Sequence, residues 1–541
     1  MAAHVLGFAG IDNQGLEGIE LQYDSYLSGK KGQIVAERDA VGKEIPEGMH
    51  SYVEAEPGST VVLAIDEVIQ YIAEREIKKA VEETRSKRGL VLAIDPTTGE
   101  ILANAVYPSY DPNSFNDVTS EERRNLSIVD AYEPGSTFKI VTSAAALEEG
   151  LVTKNETFYD KGYIRIGGAT LRCWRVEGHG TQTFSEALGN SCNPVFVELA
   201  QRLGAEKFTS YIKAFGFGVK TGVDFPGETS GLVQNLSKLG PVELATTGFG
   251  QGISVTPLQM LSAVCAIANN GVLMKPILVK EIIDANGNVI KSNSPTKVRQ
   301  VVSEKTAKDL TDLMVSVVSE GSGNRAAVLG FPVAGKTGTA QKAENGVYGN
   351  GRIASFVGFA PANDPKVAML IILDEPSTDI KFGGVLSAPV FGAIMSEVVR
   401  HLELIPNYPT KIKNEVQNVI SVPNVMNKSL VDAKNALSAL GFSVRAEGFG
   451  TYVTNQVPKA GTLVAKGTSV VLTLLEENHA KNASEKVTVP SVVGKTLKDA
   501  VLLLGAKDLC VKLSGSGFVK SQNPKAGSTV SKGALVELYL E

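Results

Sequence analysis

A serine and a lysine that could form a catalytic pair stand three residues apart in the segment Ser136–Lys139 (Ser-Thr-Phe-Lys). The segment follows Pro134-Gly135 and opens a helical run, so Ser136 lies at a predicted helix start, where free backbone N–H groups favour negative charge. Residues three apart share one helix face, which brings Lys139 within reach of the Ser136 hydroxyl. A lysine that loses its proton through burial can act as base for a serine nucleophile. Alone, the pattern more often means an N-cap serine beside an exposed lysine.

A second polar motif, Ser191-Cys192-Asn193, lies in a predicted turn between two helical stretches. There Ser191 could pass a proton to a departing amine, and Asn193 could hold a substrate amide. In isolation such a segment is more often an ordinary polar loop.

A third motif, Lys336–Thr339 (Lys-Thr-Gly-Thr), begins a predicted strand. Alternation along the strand puts Lys336 and Gly338 on one face and Thr337 and Thr339 on the other. The ammonium and hydroxyl groups suit a carboxylate ligand, and Gly338 would let a ligand approach the backbone closely.

The same segment also fits a competing motif, because Gly330–Thr337 matches the phosphate loop G-x-x-x-x-G-K-[ST] of nucleotide triphosphatases. The acidic pair Asp374-Glu375 after an apolar run resembles the acidic strand end of such enzymes. A phosphate loop must lead directly into a helix whose N-terminus holds the phosphates. Four glycines in the fourteen residues after Thr337 make a helix there improbable, which disfavours a nucleotide site.

The composition excludes several classes of protein. The chain has 541 residues with 53 Lys+Arg against 58 Asp+Glu, a net charge of −5 that is too balanced for a typical nucleic-acid binder. Its 43% hydrophobic and 21% charged residues exclude wholesale disorder. Four cysteines in so long a chain do not make a disulfide framework, and no Cys or His pair has zinc-ligand spacing, so no metal is expected. No apolar run approaches the roughly 20 residues of a membrane span.

The hydrophobic pattern around the motifs predicts a multidomain α+β protein. Helical spacing runs from Ile65 to about Ser86, and residues 120–330 are predicted to be mostly helical, with an N-cap and first-turn proline at Thr256-Pro257. A further helix is predicted over about 389–403, with Pro389 near its first turn. The strands of a predicted antiparallel sheet are Leu90–Ile94, Ile101–Ala105, one near residue 335, Ile353–Phe359 and Val367–Leu373.

The C-terminal end contains an internal repeat. Val422-Pro423 recurs as Val489-Pro490, and the turn Pro458–Gly461 recurs as Pro524–Gly527. Each unit is predicted to contain a helix (429–440, 496–504), a Pro-Lys-Ala-Gly turn and a final alternating strand (469–475, 534–540). The charged stretch 476–486 is predicted to be a linker, and prolines mark a boundary within 405–422.

The three motifs, in this order, match the set Ser-x-x-Lys, Ser-x-Asn and Lys-Thr-Gly of serine penicillin-recognising enzymes. The chain resembles class B penicillin-binding proteins, the D,D-transpeptidases of bacterial cell-wall synthesis, most of all the stage V sporulation type or its cell-division relative. The segments Gly248–Gly252, Phe225–Glu228 and Gly321–Arg325 add to the resemblance, and the C-terminal repeats resemble PASTA domains.

The resemblance implies a fold and a division of the chain. The fold would be that of the penicillin-recognising transpeptidases, an antiparallel sheet flanked by helices with a helical subdomain, followed by two small PASTA repeats. Residues 1–85 would be the end of a non-catalytic pedestal or dimerisation domain, 86–406 the transpeptidase domain, and 420–477 and 487–541 the repeats. Such proteins begin with a cytoplasmic tail and one membrane span, so we expect a truncated chain whose catalytic domain lies outside the cell membrane.

The resemblance also assigns roles. Ser136 would attack the penultimate carbonyl of a D-Ala-D-Ala stem peptide, with Lys139 as general base. Ser191 would protonate the departing D-Ala, and Asn193 would orient Lys139 and the peptide. The residues expected to bind the terminal carboxylate are Lys336, Thr337 and Thr339, with Gly338 beside them.

The implied partners are peptidoglycan stem peptides, β-lactams as covalent inhibitors and a glycosyltransferase in the membrane. No nucleic acid and no metal or organic cofactor is implied. A D,D-carboxypeptidase or β-lactamase shares the motifs, and a non-catalytic wall-binding scaffold is a further alternative. Against a β-lactamase, Leu232 stands where the asparagine four residues after a deacylating glutamate, here Glu228, would be expected.

Two cysteines suggest a possible redox pair. Cys192 lies inside the second motif, and Cys173 stands 19 residues before it. If the two Cα atoms lie within about 7 Å of each other, a disulfide could form outside the membrane and distort the site. Two buried reduced thiols are the alternative, and Cys265 and Cys510 are expected in the core.

Overall fold

The computed structural model describes the chain apart from residues 37–40, 42–49, 236–239, 345–346, 408–418, 449–450, 466, 476–485, 497–499, 501–502, 508, 515–516, 532–533 and 541. Residues 476–485 of the predicted linker, most of the boundary 405–422 and most of the predicted helix 496–504 lie outside the described residues. The chain divides into two compact units, residues 1–407 and 408–541.

The first unit mixes helices and strands. Its helices are α1 Ala3–Leu6, α2 Gly18–Gln22, α3 Asp24–Leu27, α4 Glu67–Thr84, α5 Ser120–Arg123, α6 Leu126–Val129, α7 Lys139–Glu148, α8 Phe184–Gly189, α9 Asn193–Ala214, α10 Pro241–Thr247, α11 Pro257–Ala268, α12 Glu304–Ser319 and α13 Gly383–His401. Its strands are β1 Gln33–Ala36, β2 His50–Val53, β3 Thr60–Leu63, β4 Arg88–Ile94, β5 Ile101–Tyr107, β6 Thr157–Asp160, β7 Tyr163–Ile166, β8 Ala169–Arg172, β9 Gly180–Thr183, β10 Val272–Met274, β11 Val279–Ile283, β12 Val289–Ser292, β13 Lys297–Gln300, β14 Ala334–Glu344, β15 Val347–Ala360 and β16 Val367–Asp374.

A five-stranded antiparallel sheet in the order β14-β15-β16-β4-β5 forms the centre of this unit, which confirms the predicted sheet. Its residues alternate between two hydrophobic cores, because successive side chains of a strand point to opposite faces. Leu90 and Leu92 belong to one core, which contains residues of α7, α9 and α11. Val91 and Ala93 belong to the other, with residues of α4 and α13. The sheet is therefore buried on both faces.

Two helices show how local sequence fixes their ends. α11 begins as predicted, with Thr256 and Gln259 in a capping box and Pro257 in the first turn. α13 begins at Gly383 rather than near residue 389, so Pro389 lies inside the helix and the prediction of a first-turn proline was wrong. The proline removes one backbone hydrogen bond, but packing of the apolar face of α13 into the second core offsets that loss.

The region 120–330 departs from its prediction. It holds α5 to α12, but the short antiparallel pairs β6-β9, β7-β8 and β10-β13 lie between them. β11 also pairs with β12 and with β3, which ties the N-terminal segment to this unit. The prediction of a mostly helical region missed these strands because each has only three to five residues.

The second unit contains the two repeats. Its elements are β17 Val419–Ser421, α14 Leu430–Ala439, β18 Ser443–Gly448, β19 Tyr452–Val457, β20 Leu463–Ala465, β21 Ser469–Leu475, β22 Lys486–Thr488, β23 Cys510–Ser514, β24 Val519–Asn523, β25 Thr529–Ser531 and β26 Leu535–Leu540. Equivalent buried glutamines mark the repeat, since Gln456 and Gln522 each accept a backbone N–H at 2.8 Å, from Val425 and Val492. Among the described residues of both units, no helix has the length and apolarity that crossing a membrane requires.

Candidate active site

The proposed nucleophile lies on a tight turn at the start of a buried helix. Ser136 is the second residue of a 3-10 turn, Gly135–Phe138, which runs directly into α7, as predicted. Gly135 has φ 53°, a left-handed conformation that favours glycine, and its N–H donates to Gly250 O at 3.0 Å. Thr137 and Phe138 are buried, while Ser136 stays half-exposed. The turn thus fixes its neighbours in the core and leaves the Ser136 side chain accessible.

Lys139 is fully buried and is held by the second motif. Its Nζ donates to Asn193 Oδ1 at 2.7 Å, to Ser191 O at 2.8 Å and to Ser191 Oγ at 3.2 Å. Burial lowers the pKa of Lys139 to about 7, because the ammonium loses its hydration. Near neutral pH this amine is therefore present in both protonated and unprotonated forms. Within the described residues, no hydrogen bond joins Ser136 to Lys139.

The second motif is a strained turn before a long helix. Ser191 has φ 54°, which is unusual for a residue other than glycine, and α9 begins at Asn193. Two contacts fix this turn against the loop after β8: Asn193 Nδ2 donates to Arg172 O at 3.2 Å, and Trp174 Nε1 donates to Asn190 O at 2.9 Å. This turn therefore places the Ser191 and Asn193 side chains in contact with the Lys139 ammonium.

The third motif lies within strand β14, which pairs along its length with β15. Lys336 is fully buried, and its Nζ donates to Thr337 O at 3.1 Å. Burial, and secondarily the charge of Lys139, holds the pKa of Lys336 well below its usual range. Because Lys336 and Thr337 lie inside a strand and not at a helix N-terminus, the phosphate-loop alternative does not fit this structure.

Gly338 packs against protein on its inward face. A Cβ built there would lie 2.2 Å from Ser355 Oγ and 2.8 Å from Thr137 Cγ2. The absence of a side chain lets β14 pack against the turn that carries Ser136. The sequence suggested that Gly338 would let a ligand approach the backbone closely. At this face the groups that approach Gly338 instead belong to the nucleophile turn and to β15.

One cavity of about 600 Å³ brings the motifs together. Five of the predicted site residues line it: Ser136, Ser191, Asn193, Thr337 and Thr339. Lys139 and Lys336 are buried beneath it, and Gly338 faces the nucleophile turn. This volume is typical of a small-molecule or peptide site.

Sequence reasoning assigned no role to several residues of this cavity. They are Trp174, Phe249, Asn324, Arg325, Gln341 and Phe382, among others. Phe249, Asn324 and Arg325 fall in segments that already carried the resemblance, so that signal could have found them. Trp174 and Phe382, whose rings lie 6.2 Å apart, come from distant parts of the chain and carried no sequence signal.

The two cysteines of the suggested redox pair do meet beside the site. Cys173 and Cys192 are buried free thiols, and their sulfurs lie within 4.8 Å of each other and of side-chain atoms of Asp160 and His179. The neighbouring thiol lowers the pKa of Cys173, and the Cys173 thiol together with burial raises the pKa of Cys192. Sequence reasoning missed the acidic residue and the histidine of this group.

Comparison with known protein families agrees with the site. The model of the penicillin binding protein transpeptidase domain matches residues 89–396, and that of the penicillin-binding protein dimerisation domain matches residues 3–63. The PASTA domain model matches residues 420–475 and 487–541.

Individual relatives cover most of the chain. Stage V sporulation protein D of Bacillus subtilis is 44% identical over 493 residues, which are 89% of this chain and 75% of that protein. The peptidoglycan D,D-transpeptidase FtsI of Escherichia coli is 33% identical over 418 residues, 77% of this chain and 68% of the relative. A crystal structure of penicillin binding protein 3 from Mycobacterium tuberculosis, complexed with aztreonam, superposes with a TM-score of 0.68 at 31% identity, covering 75% of this chain and 90% of that one. By its motifs, fold and relatives, the chain belongs to the penicillin-binding protein transpeptidase family, in its class B branch.

Proposed function

We propose that this protein is a serine D,D-transpeptidase that cross-links peptidoglycan stem peptides through an acyl-enzyme at D-Ala-D-Ala and is inhibited by β-lactams. The observation that carries the proposal is the buried Lys139 amine, with a pKa of about 7, beneath a cavity lined by Ser136, Ser191 and Thr337. The names of the relatives, a stage V sporulation protein and a peptidoglycan D,D-transpeptidase among them, support the same activity.

Acylation begins with Ser136 and Lys139. The unprotonated Lys139 amine removes the Ser136 hydroxyl proton while Oγ attacks the penultimate D-Ala carbonyl. The backbone N–H groups of Ser136 and Thr339 stabilise the oxyanion that forms. The step needs a hydrogen bond from Ser136 to Lys139, and such catalytic bonds commonly tighten only when substrate binds.

Collapse of the tetrahedral intermediate breaks the peptide bond to the terminal D-Ala. Ser191, hydrogen-bonded to Lys139 at 3.2 Å, relays the proton to the departing amine. Asn193 keeps Lys139 in place through the 2.7 Å contact and orients the peptide. An amine of a neighbouring strand then attacks the Ser136 ester, which forms the cross-link and returns the proton to the serine oxygen.

The substrate's terminal carboxylate binds at β14, the edge strand of the central sheet. Thr337 and Thr339 present hydroxyls to the cavity, and Ser322 Oγ lies 3.0 Å from Thr337 Oγ1. Lys336 supplies positive charge from beneath the strand when it is protonated. Both threonines share the cavity with Ser136, so a D-alanine carboxylate bound here would bring its amide bond to the nucleophile.

The alternatives on the same motifs are less well supported. A β-lactamase needs a free carboxylate to activate water for deacylation, and Glu228 was the sequence candidate. Its carboxylate instead accepts hydrogen bonds from Thr221 N and Thr221 Oγ1, both at 2.6 Å, and from Gly222 N. A D,D-carboxypeptidase differs only in using water as the acceptor, so product analysis with an added amine separates it from a transpeptidase.

The cellular setting follows from this function. The catalytic domain, 86–406, acts on the outer side of the cell membrane beside a glycosyltransferase that makes the glycan strands. Residues 1–85 serve as part of a pedestal or dimerisation domain, which the family match over 3–63 supports. The PASTA repeats at 420–477 and 487–541 act as spacers or contact the wall.

Intact-mass measurement after incubation with a fluorescent penicillin tests the proposal. We expect a mass increase of one penicillin on the wild-type chain and none on Ser136→Ala. Ser127→Ala, which removes a buried hydroxyl bound to Asn104, is the matched control and should still acquire the adduct. An adduct on Ser136→Ala contradicts the assignment of the nucleophile. Full cellular function of Ser136→Ala would instead favour the non-catalytic scaffold.

A further inference from the structure

Four potential metal ligands converge directly behind the second motif. They are Asp160 at the end of β6, Cys173 after β8, His179 before β9, and Cys192 at the N-cap of α9. One donor atom of each lies within 4.8 Å of all the others. The cluster is buried: the Asp160 side chain is 0% exposed and the His179 side chain 4%.

The contacts within the cluster centre on one carboxylate oxygen. Asp160 Oδ2 lies 2.9 Å from His179 Nδ1 and 3.3 Å from Cys192 Sγ, while Cys173 Sγ lies 3.5 Å from the same His179 nitrogen. The other oxygen, Oδ1, accepts the backbone N–H of Gly162 at 2.7 Å. Within the described residues, no lysine or arginine forms an ion pair with Asp160. Asp160 Oδ2 also accepts the backbone N–H of His179 at 3.1 Å, and the His179 ring is the one ion-pair partner of this carboxylate among the described residues. A buried carboxylate is either paired or coordinates a metal, and a cation bound here would add a positive charge beside it.

The separations suit a tetrahedral metal ion. With metal–ligand bonds of about 2.0–2.3 Å, the edges of a zinc tetrahedron measure roughly 3.3–3.8 Å. The contacts of 3.3 and 3.5 Å already have that length, and the three remaining donor pairs, each within 4.8 Å, need to close by at most about 1–1.5 Å. The 2.9 Å contact between His179 and Asp160 needs to open by only a few tenths of an ångström.

We propose that Asp160, Cys173, His179 and Cys192 form a structural Zn²⁺ site that anchors the active-site turn. Two thiolates and an imidazole favour zinc over magnesium or calcium, which take oxygen ligands. Four protein ligands leave no open position for water or substrate, so the ion takes no part in the acyl transfer. Sequence spacing alone did not reveal the site, because its donors come from three segments: the end of β6, the loop between β8 and β9, and the N-cap of α9.

The position of the cluster explains what the ion would do. Cys192 lies between Ser191 and Asn193, which together hold the Lys139 ammonium. Cys173 lies between Arg172 and Trp174, which both contact the same turn. A metal bound to both cysteines ties these two segments together and stabilises the left-handed conformation of Ser191.

Binding is balanced by loss of protons. The two thiols release one proton each as they become thiolates, His179 binds through a neutral ring nitrogen, and Asp160 is already ionised. The ion competes with the Cys173–Cys192 disulfide that the sequence suggested, since both use the same sulfur atoms. A protein that contains zinc therefore keeps both thiols reduced.

Metal analysis of the purified full chain tests the site. Plasma mass spectrometry is applied to the wild type, Cys173→Ser, His179→Ala and the control Cys265→Ser, which removes a buried thiol of α11. We expect about one zinc per chain in the wild type and control and at least a tenfold lower content in the two ligand variants. Cobalt in place of zinc should give thiolate-to-metal charge-transfer absorption in the wild type.

A second measurement covers the case in which a ligand variant fails to fold. Dipicolinate is used to strip the wild-type protein, and Zn²⁺ alone is then added back while the thermal midpoint is followed. The midpoint should fall on stripping and recover with one equivalent of zinc. Three results would overturn the proposal: a zinc-free wild type in which Cys173 and Cys192 are both free thiols, zinc retained equally by both ligand variants, or a Cys173–Cys192 disulfide in freshly purified protein. None of these readouts depends on transpeptidase activity.

Discussion

The pH dependence of acylation tests whether Lys139 is the general base. The perturbation is pH itself, applied between 6 and 10 to the wild-type chain and to Lys139→Met. Because burial lowers the pKa of Lys139 to about 7, its unprotonated fraction increases as pH rises through that value. Only the unprotonated amine can accept the Ser136 proton, so the acylation rate should rise with pH and then level off.

The size of the effect follows from the same pKa. A base with a pKa of about 7 is roughly 9% unprotonated at pH 6 and about 91% at pH 8, which predicts about a tenfold rise in rate between them. Above pH 8 the further titration of Lys139 should change the acylation rate by less than about 20%. With the ordinary value of 10.5, the rate would instead keep rising about tenfold per pH unit up to pH 9.

The assay is the second-order rate of acylation by a fluorescent penicillin, measured by stopped flow or by gel fluorescence at each pH. Lys207→Met serves as control, because Lys207 is an exposed lysine in the C-terminal half of α9, 14 residues beyond Asn193, and is paired with Glu149 at 2.5 Å. The control should keep the wild-type profile, whereas Lys139→Met should lose at least a hundredfold in rate.

Two results would refute this reasoning. A rate that rises steadily to pH 9 would mean that Lys139 keeps an ordinary pKa and is not shielded from water. A Lys139→Met variant with near-normal acylation would mean that another group takes the proton.

The remaining predictions concern packing and the thiols. Gly338→Ala forces a methyl group into the contacts of β14, so it should cost about 1–3 kcal/mol of stability in thermal melts and slow acylation. The control Gly189→Ala should be tolerated, because its Cβ would lie 3.8 Å from the nearest atom. Equal melting temperatures for the two variants would contradict this prediction. Gln456→Leu leaves a buried backbone N–H of the first repeat without its acceptor and should destabilise the C-terminal unit by about 1–3 kcal/mol in calorimetry without changing acylation. After zinc is stripped, oxidation should join Cys173 to Cys192 and slow acylation until reductant is added; identical rates with and without reductant would rule out the redox pair.

The sheet and most of its helices were predictable because their signals are local. Alternating or continuous apolar runs identified β4, β5, β15 and β16, and a threonine followed by proline identified the start of α11. The predicted start of α13 was wrong because a proline usually marks the first turn of a helix. The local sequence indicates the hydrogen bond that Pro389 removes, but it does not indicate the packing of α13 against the second core that offsets this loss. The strand pairs within 120–330 are too short to leave a periodic pattern.

The sequence by itself determined which residues we propose to carry the chemistry. The order and spacing of the three motifs are enough to select Ser136, Lys139, Asn193 and Lys336 as one set. Two residues three positions apart on a helix, or within one short motif, are close to each other because of the chain itself. This proximity is therefore the same in any fold that keeps these elements.

Tertiary structure alone decided how those residues act. Burial sets the pKa of Lys139, and it depends on side chains such as Phe196, whose ring centre lies 5.1 Å from the ammonium. The meeting of Asp160 and His179 with the two cysteines likewise depends on how β6, β8 and β9 pack against the start of α9. Solvation and through-space distance are properties of the folded chain, so no local pattern in the sequence encodes them.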